Sequence, residues 1–387
     1  MKMKIKGYVR KNGKVGVRNH LLVIPSSVCA SVVAERIASH VEGAVSIPNQ
    51  HGCCQVGADL ELIKNTLIGL GKNPNVGAVL VIGLGCEGVP TENVAHEISK
   101  TGKPVEYIII QHCGGTLKAE EKGTRIARRM IQEICRYERE EVDISELILS
   151  IECGGSDTTS GLASNPVAGY VSDKIVELGG TSMFSETTEL IGAEHILAKR
   201  AITKEVGDKL IYIVKRCEEK AKTMGVDMRG GQPTPGNIEG GISTIEEKSL
   251  GCIYKGGTKP LQGVLEYGEE PEGKGLYFMD TPGQDIESIT GMTAGGSQVV
   301  IFTTGRGTPT GSPIAPVIKI TGNPETFRNM EDNIDFNCGT IVEGIESIRD
   351  AGERLFNLLI EVCNGKMTKA ETLKHKEFGM YKLISTF

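Results

Sequence analysis

Short, near-continuous apolar runs recur along the chain, each closed by a loop and followed by an amphipathic stretch with helical spacing, and this rhythm constrains the fold more than any other feature. Ala78-Val79-Leu80-Val81-Ile82 and Tyr107-Ile108-Ile109-Ile110 show no polar–apolar alternation, as expected of parallel strands covered on both faces. Parallel neighbours need crossovers, and the stretches 31–41, 60–70, 92–100 and 119–139 have the periodicity of the helices that would supply them. With Leu21 to Pro25 and Val45 to Pro48 as further strands, a first α/β domain is predicted over residues 1–140, ending at the charged stretch Arg136-Tyr137-Glu138-Arg139-Glu140-Glu141. A second domain, 141–387, restarts with a strand from Leu147 to Ile151, a helix near 167–178, the strand Ser182-Met183-Phe184 and helices ending near Lys222. Gly and Pro are dense from Met224 to Lys274, which predicts a long loop excursion; loops of that length are usually functional. Leu276 to Met279, Gln298 to Thr303 and Val317 to Ile320 return as strands, and a helix over 345–363 closes the chain. The expected class is α/β, two domains, each with a mainly parallel sheet flanked by helices.

A chain of 387 residues with 39% hydrophobic content exceeds one core, in keeping with two domains. Charges of both signs are interspersed around a net of -6, with no basic block, so nucleic acid is not an expected partner. No apolar stretch approaches membrane-spanning length and the N-terminus lacks a signal-peptide core, so a soluble, cytoplasmic protein is expected. Eleven cysteines without Cys-x-x-Cys spacing imply reduced thiols rather than a disulfide framework.

Four of the apolar runs end in glycine loops that carry cysteine: around Cys53 and Cys54, at Gly85-Cys86-Glu87, at His112-Cys113-Gly114 and at Cys153-Gly154-Gly155-Ser156-Asp157. In open α/β sheets ligands bind beyond the carboxyl ends of the strands, where these loops fall. Ser26-Ser27-Val28-Cys29, after the first strand of the series, lacks the glycine fingerprint of a dinucleotide site.

Gly7-Tyr8-Val9-Arg10 with Gly16-Val17-Arg18-Asn19, the Gly52-Cys53 loop, Gly83-Leu84-Gly85-Cys86-Glu87, Cys153-Gly154-Gly155-Ser156-Asp157 with Ser160-Gly161 and Asn165-Pro166, Pro235-Gly236-Asn237 with Glu246-Glu247-Lys248-Ser249-Leu250-Gly251, Asp280-Thr281-Pro282-Gly283 and Phe302-Thr303-Thr304-Gly305-Arg306-Gly307 together resemble the altronate/galactarate dehydratase family. The resemblance covers nearly the whole chain. It implies a hydro-lyase that dehydrates a sugar acid, altronate foremost, to a 2-keto-3-deoxy acid, with ferrous iron as cofactor. It also implies a first domain that forms a homodimer and a Rossmann-like second domain with a metal site. Because the chain starts almost directly at Gly7, the resemblance implies a large catalytic subunit whose small β-clip partner is a separate polypeptide. Sulfolactate sulfo-lyase is a relative, and its large subunit is the alternative reading; a non-catalytic iron–sulfur or metal carrier is a further one.

Dehydrating a 2,3-dihydroxy acid means removing a weakly acidic proton beside a carboxylate, so a metal ion or cations must meet the developing charge, a base must face C2 and an acid must help the hydroxyl leave. Cys153, Asp157 and Glu186, at the ends of neighbouring strands, are the expected metal ligands, with Cys53 and Cys86 as further thiols. Glu189, Glu194 and His195 follow Glu186, but first-turn carboxylates also favour the helix dipole. An iron–sulfur cluster on Cys53, Cys86, Cys113 or Cys153 is the alternative to mononuclear iron. Arg306, with Thr303 and Thr304, is the expected anion anchor because its fork matches a carboxylate; Asn165, Asn237 and Ser156 lie in the same motifs and are expected to touch substrate. Lys248 is read as base or electrostatic clamp, Glu186 as catalytic and His51, beside Cys53 and Cys54, as a ligand or proton carrier. Arg18 and Asn19 precede the first of these strands and are expected to be structural.

Overall fold

The computed structural model describes residues 3–231 and 233–384. A four-stranded parallel sheet contains β3 (His20–Pro25), β4 (Ala44–Ser46), β5 (Val76–Gly83) and β6 (Val105–Ile109) in the order β4-β3-β5-β6. A seven-stranded parallel sheet contains β8 (Ile148–Cys153), β9 (Thr181–Ser185), β10 (Leu261–Leu265), β11 (Gly275–Met279), β12 (Val299–Thr303), β13 (Val317–Thr321) and β14 (Phe336–Asn337), in the order β10-β11-β9-β8-β12-β13-β14. Every residue of β5, β9 and β12 is buried, which is why these runs read as unbroken apolar or small-residue strings. The class is α/β as expected, with helices such as Ser31–Ser39, Gly57–Lys72, Asn165–Glu177 and Ile348–Cys363 covering the sheets. Among the described residues no helix is long and apolar enough to cross a membrane.

Two features differ from the expectation. A small antiparallel sheet joins β1 (Lys4–Val9) to β2 (Val15–Gly16) and to β7 (Glu140–Asp143). The charged stretch read as a solvated boundary therefore runs into an edge strand that clasps the N-terminal segment; its charges are tolerated because an edge faces water. The excursion 224–274 is not one long loop. It holds the helices Met228–Gly231, Pro235–Glu239 and Ile245–Cys252, a turn of 3-10 helix Ile253–Gly256, and β10 at the sheet edge. Its prolines and polar residues start helices: Pro235 stands in the first turn behind Thr234, and the Thr244 hydroxyl accepts from the Glu247 N–H.

The halves are bound together by buried amides. Asn73 Nδ2 donates to the Thr293 and Ser297 carbonyls at 2.8 Å, and Asn75 Nδ2 to those of Gln298 and Ile314 at 2.8 and 2.9 Å. Arg18 is structural, as its place before β3 implies: its guanidinium bonds Glu371 and the Val362 and Lys366 carbonyls. Asn19 accepts from Arg10 and donates to the Ile134 carbonyl.

Candidate active site

From β8 the chain moves through β9, β10 and β11 on one side, then crosses to β12 on the other, so the seven-stranded sheet reverses direction between β8 and β12. A crevice forms beyond the carboxyl ends of strands at such a point. Cys153 ends β8 and Thr303 ends β12, and their loops are laced together. Gly154 N–H donates to the Thr303 carbonyl at 3.0 Å, while Gly305 and Arg306 N–H groups donate to the Gly155 carbonyl at 3.2 and 3.0 Å. Gly154 has no room for a side chain, since a Cβ there would stand 2.2 Å from Asp285 Oδ2.

β9 ends at Ser185, and the next residue, Glu186, is left-handed at φ 76, ψ 83. That conformation is uncommon outside glycine and clusters at functional sites. It is held by the Glu186 N–H donating to Thr281 Oγ1 at 2.9 Å, and it starts the turn Thr187–Leu190 that brings Glu189 back over the sheet. Opposite, the helix Ile245–Cys252 presents Lys248 and Cys252, four apart and so on one face. The following turn, Ile253–Gly256, adds Lys255, and the helix Asp285–Ala294 adds Asp285 from its first turn.

Lys255 Nζ lies 2.6 Å from Glu189 and 2.8 Å from Glu186, all three side chains being at most 2% exposed. Lys248 Nζ approaches Glu189 Oε1 to 3.5 Å. Burial works against ionising Glu189, yet Lys255 and Lys248 outweigh it and hold its carboxyl down at about 2. Burial and then the charge of Glu152 push Glu186 well above the usual carboxylate range. Burial likewise lifts Glu152 to about 8 and Asp285 to about 6. Both lysines are raised in spite of burial, Lys255 by Glu186 and Glu189, Lys248 chiefly by Glu189. The hydrogen bond with Cys252 brings the Cys153 thiol down to about 7, and Ser156 Oγ sits 3.1 Å from its sulfur. At neutral pH the cluster thus holds two ammonium groups around the Glu189 carboxylate, with Glu186 and Glu152 protonated behind them and Asp285 mostly ionised.

In each of two sets the donor atoms lie within 4.8 Å of one another: Cys153, Glu189 and Cys252 form one, and Glu152, Glu186 and Asp285 the other. Glu189 Oε1 is buried without a hydrogen-bond partner beside the two thiols. Two sulfurs and a carboxylate oxygen not taken up by a hydrogen bond are a donor set that suits ferrous iron. A cavity of 290 Å³ adjoins the cluster, lined by Ser156, Asp157, Ser160, Lys248 and Cys252 among others. A larger one, of 570 Å³, touches the same turn through Thr188, but its arginine, Arg216, is already paired with Glu266 and Asp280. The smaller cavity is therefore the better seat for an anion.

Among the residues singled out from the sequence, Cys153, Ser156, Glu186, Glu189 and Lys248 come together here. Asp157 lines the cavity, but its carboxylate already accepts from Thr159, Ser160 and Asn323, which leaves little for a metal. Arg306 pairs with Glu239 at 2.8 Å and the Gly236 carbonyl at 3.0 Å on a half-exposed surface, rather than reaching into the cavity. Thr303 and Asn165 are bonded to each other at 2.6 Å, Thr304 Oγ1 accepts from Gly307 N–H, and Asn237 donates to the Ser156 carbonyl. Their polar groups brace the loops, although Asn165 also lines the cavity. Glu194 accepts from the Gly192 N–H, a helix-start role. His51, Cys53 and Cys86 stand at the edge of the other sheet, and among the described residues no hydrogen bond or donor set joins them to Cys153. The four cysteine loops do not form one site because they serve two sheets, each with its own point of reversal.

Lys255, Cys252, Glu152 and Asp285 were not anticipated. Lys248, Cys252 and Lys255 are spaced i, i+4, i+7, a helical face that the glycine-rich surroundings obscure. Glu152 is an ionisable residue inside a buried strand, itself a signal of function.

Residues 7–135 match the family model described as D-galactarate dehydratase/altronate hydrolase, second domain, and residues 144–386 that described as D-galactarate/altronate dehydratase, C-terminal. The chain is 42% identical to the (2R)-sulfolactate sulfo-lyase subunit beta of Chromohalobacter salexigens, over 98% of this chain and 97% of that protein. It is 34% identical to altronate dehydratase of Bacillus subtilis, over 97% of this chain and 77% of that one. Against galactarate dehydratase (L-threo-forming) of Escherichia coli the identity is 35%, over 98% and 76%.

Proposed function

The chain belongs to the D-galactarate/altronate dehydratase family and is a lyase, and on that premise we propose that it eliminates water from a sugar acid such as altronate to leave a 2-keto-3-deoxy acid. The observation that carries this reading is the pair of lysines around Glu189, of which Lys248 lines the 290 Å³ cavity and Lys255 stands buried behind it. Removing the C2 proton turns a carboxylate into a dianion, and preorganised ammonium groups in a water-poor site stabilise such charge far better than water does. Lys248, the less buried of the two, meets the substrate carboxylate; Lys255 fixes Glu186 and Glu189 in place. Asp285, the least buried of its carboxyl set and standing against Gly154, takes the C2 proton, and Glu186, which holds its own proton, gives one to the departing hydroxyl. Cys153, Glu189 and Cys252 would hold ferrous iron, which supplies Lewis-acid polarisation of a substrate oxygen when bound. The enol released by this elimination becomes the 2-keto acid.

A second reading is favoured by the 42% identity to a sulfo-lyase subunit of nearly the same extent. In sulfolactate the same C2 proton is lost and sulfite leaves from C3 in place of hydroxide, so the residues serve both reactions. That relative is named as subunit beta, which supports a separate small subunit here. The test is anaerobic turnover of the chain reconstituted with such a subunit and Fe2+. A 2-keto-3-deoxy acid from altronate supports the first reading, and pyruvate with sulfite from sulfolactate supports the second. Turnover of both kinds of acid that survives Lys248→Met unchanged would refute the assigned site. Iron content that stays the same in the Cys153→Ser, Cys252→Ser variant would refute the metal assignment.

A further inference from the structure

One cluster of reactive side chains has no role in that chemistry. β3 lies between β4 and β5, so the four-stranded sheet also reverses at the carboxyl ends of neighbouring strands. Three loops leaving that edge are knitted together. Val28 N–H donates to the His51 carbonyl at 2.8 Å, and Gly88 and Val89 N–H groups both donate to the Gly52 carbonyl, at 2.9 and 3.3 Å. Each loop presents thiols: Cys29, Cys54 and Cys86 are exposed and Cys53 is partly so. Cys53 and Cys54 sulfurs stand 3.7 Å apart, and Cys86 and Cys29 are within electrostatic reach of Cys53.

The loops are held in unusual backbone states. Gly52 has φ 94, and a Cβ on it would meet the Ser26 carbonyl oxygen at 2.1 Å. Cys54 is left-handed at φ 63, which costs on the order of 1–3 kcal/mol for a residue other than glycine. The Glu87 carboxylate clamps the Cys86 loop by accepting from the Gly85 and Cys86 N–H groups and from the Thr91 and Ser26 hydroxyls. Strain of this kind persists where the surroundings over-determine a site.

We propose that Cys53, Cys54 and Cys86, with Cys29 as fourth donor, form a thiolate site for a soft transition-metal ion, separate from the Cys153, Glu189 and Cys252 set. Metal–sulfur bonds of about 2.3 Å in a tetrahedron place neighbouring sulfurs about 3.8 Å apart, so the separation of Cys53 and Cys54 already makes one edge. Among the described residues no three of these sulfurs lie within 4.8 Å of one another, so ligation by all four requires the Cys86 and Cys29 side chains to close on the Cys53–Cys54 pair. Thiolates select zinc, copper(I) or iron over hard cations.

The test uses the full chain, freed of metal and titrated anaerobically with Co2+, whose sulfur-to-metal absorption reports thiolate ligation. The expected result is that Cys53→Ser, Cys86→Ser loses one bound Co2+ and its share of that absorption, while Cys153→Ser, Cys252→Ser does not remove the same ion. Alkylation of the unmutated chain gives a second readout that needs no variant. Co2+ should slow labelling of Cys53, Cys54 and Cys86 by roughly tenfold or more, because a coordinated thiolate is no longer a free nucleophile, and leave the exposed Cys135 unchanged. Equal Co2+ stoichiometry in the Cys53→Ser, Cys86→Ser variant, or equal labelling with and without Co2+, would overturn the proposal. Neither result bears on the site at β8, which its own variant reads. Acid-labile sulfide in anaerobically purified chain, absent from the Cys53→Ser, Cys86→Ser variant, would identify the bound metal as part of an iron–sulfur cluster on the same thiolates.

Discussion

Replacing Lys255 with methionine tests the electrostatic core of the site most directly. The ammonium group is 1% exposed, ion-pairs with Glu189 and donates a hydrogen bond to the Glu186 carboxyl. Removing one member of a buried pair leaves an uncompensated charge and costs about 3–5 kcal/mol. A second route gives the same scale. Glu189 is held at about 2 against an ordinary 4.5, and a depression of this size, at about 1.4 kcal/mol per pH unit, is worth about 3 kcal/mol. Because the folded pKa is depressed, that stability is fully present above pH 4.5 and is lost as pH falls towards 2. In Lys255→Met the Glu189 carboxyl loses its main counter-charge, burial dominates, and its folded pKa rises. The variant is therefore relieved by protonation of Glu189, whose carboxyl in the parent stays ionised between pH 7.5 and 5. Guanidinium unfolding should show a deficit of about 3–5 kcal/mol at pH 7.5 that narrows steadily towards pH 5. The double variant Lys255→Met, Glu189→Gln should recover most of it, since a neutral pair leaves no buried charge. A deficit below about 1 kcal/mol, or one independent of pH, would refute the account of how these groups balance.

Gly154→Ala puts a methyl group 2.2 Å from Asp285 Oδ2; the carboxylate must swing away, and turnover should fall about a hundredfold with little change in Tm, since small displacements at a reacting centre have effects of that size. Glu186→Gln keeps shape and the neutral state that Glu186 already favours, so stability should be nearly unchanged while turnover drops by about a hundredfold or more; full activity would exclude Glu186 as the proton donor. Arg306→Ala breaks only a half-exposed pair with Glu239, for which a loss below about 1 kcal/mol is expected. Its KM should stay within about twofold of the parent, and a much larger rise would restore Arg306 as the anion anchor.

The parallel strands were legible because burial on both faces leaves an apolar run no alternation to hide in: β5 and β12 begin within two residues of where the pattern puts them. β10 was not, since a short edge strand containing Gly263 and lying in a glycine- and proline-rich stretch carries no such run. The same split governs the site. Cys153 and Glu186 follow strands, so strand-end reasoning finds them. Lys255 acts on carboxylates 66 and 69 residues away, and only the fold says which carboxylates a buried lysine will meet. Arg306 fails in the opposite sense: its motif looks like an anion grip, yet Glu239, from the helix Pro235–Glu239, is the anion it grips in this structure.

The asparagines at the seam between the sheets set a limit on how this protein can be recombined. Two side-chain amides, on Asn73 and Asn75, satisfy four carbonyls of the other half. Thr293 belongs to the helix whose opposite end carries Asp285. A hybrid assembled from the front of one relative and the back of another must match that four-point graft, or the helix will sit askew and mis-aim its carboxylate from eight residues away. Homologous exchange of halves should therefore succeed only between partners that share this socket.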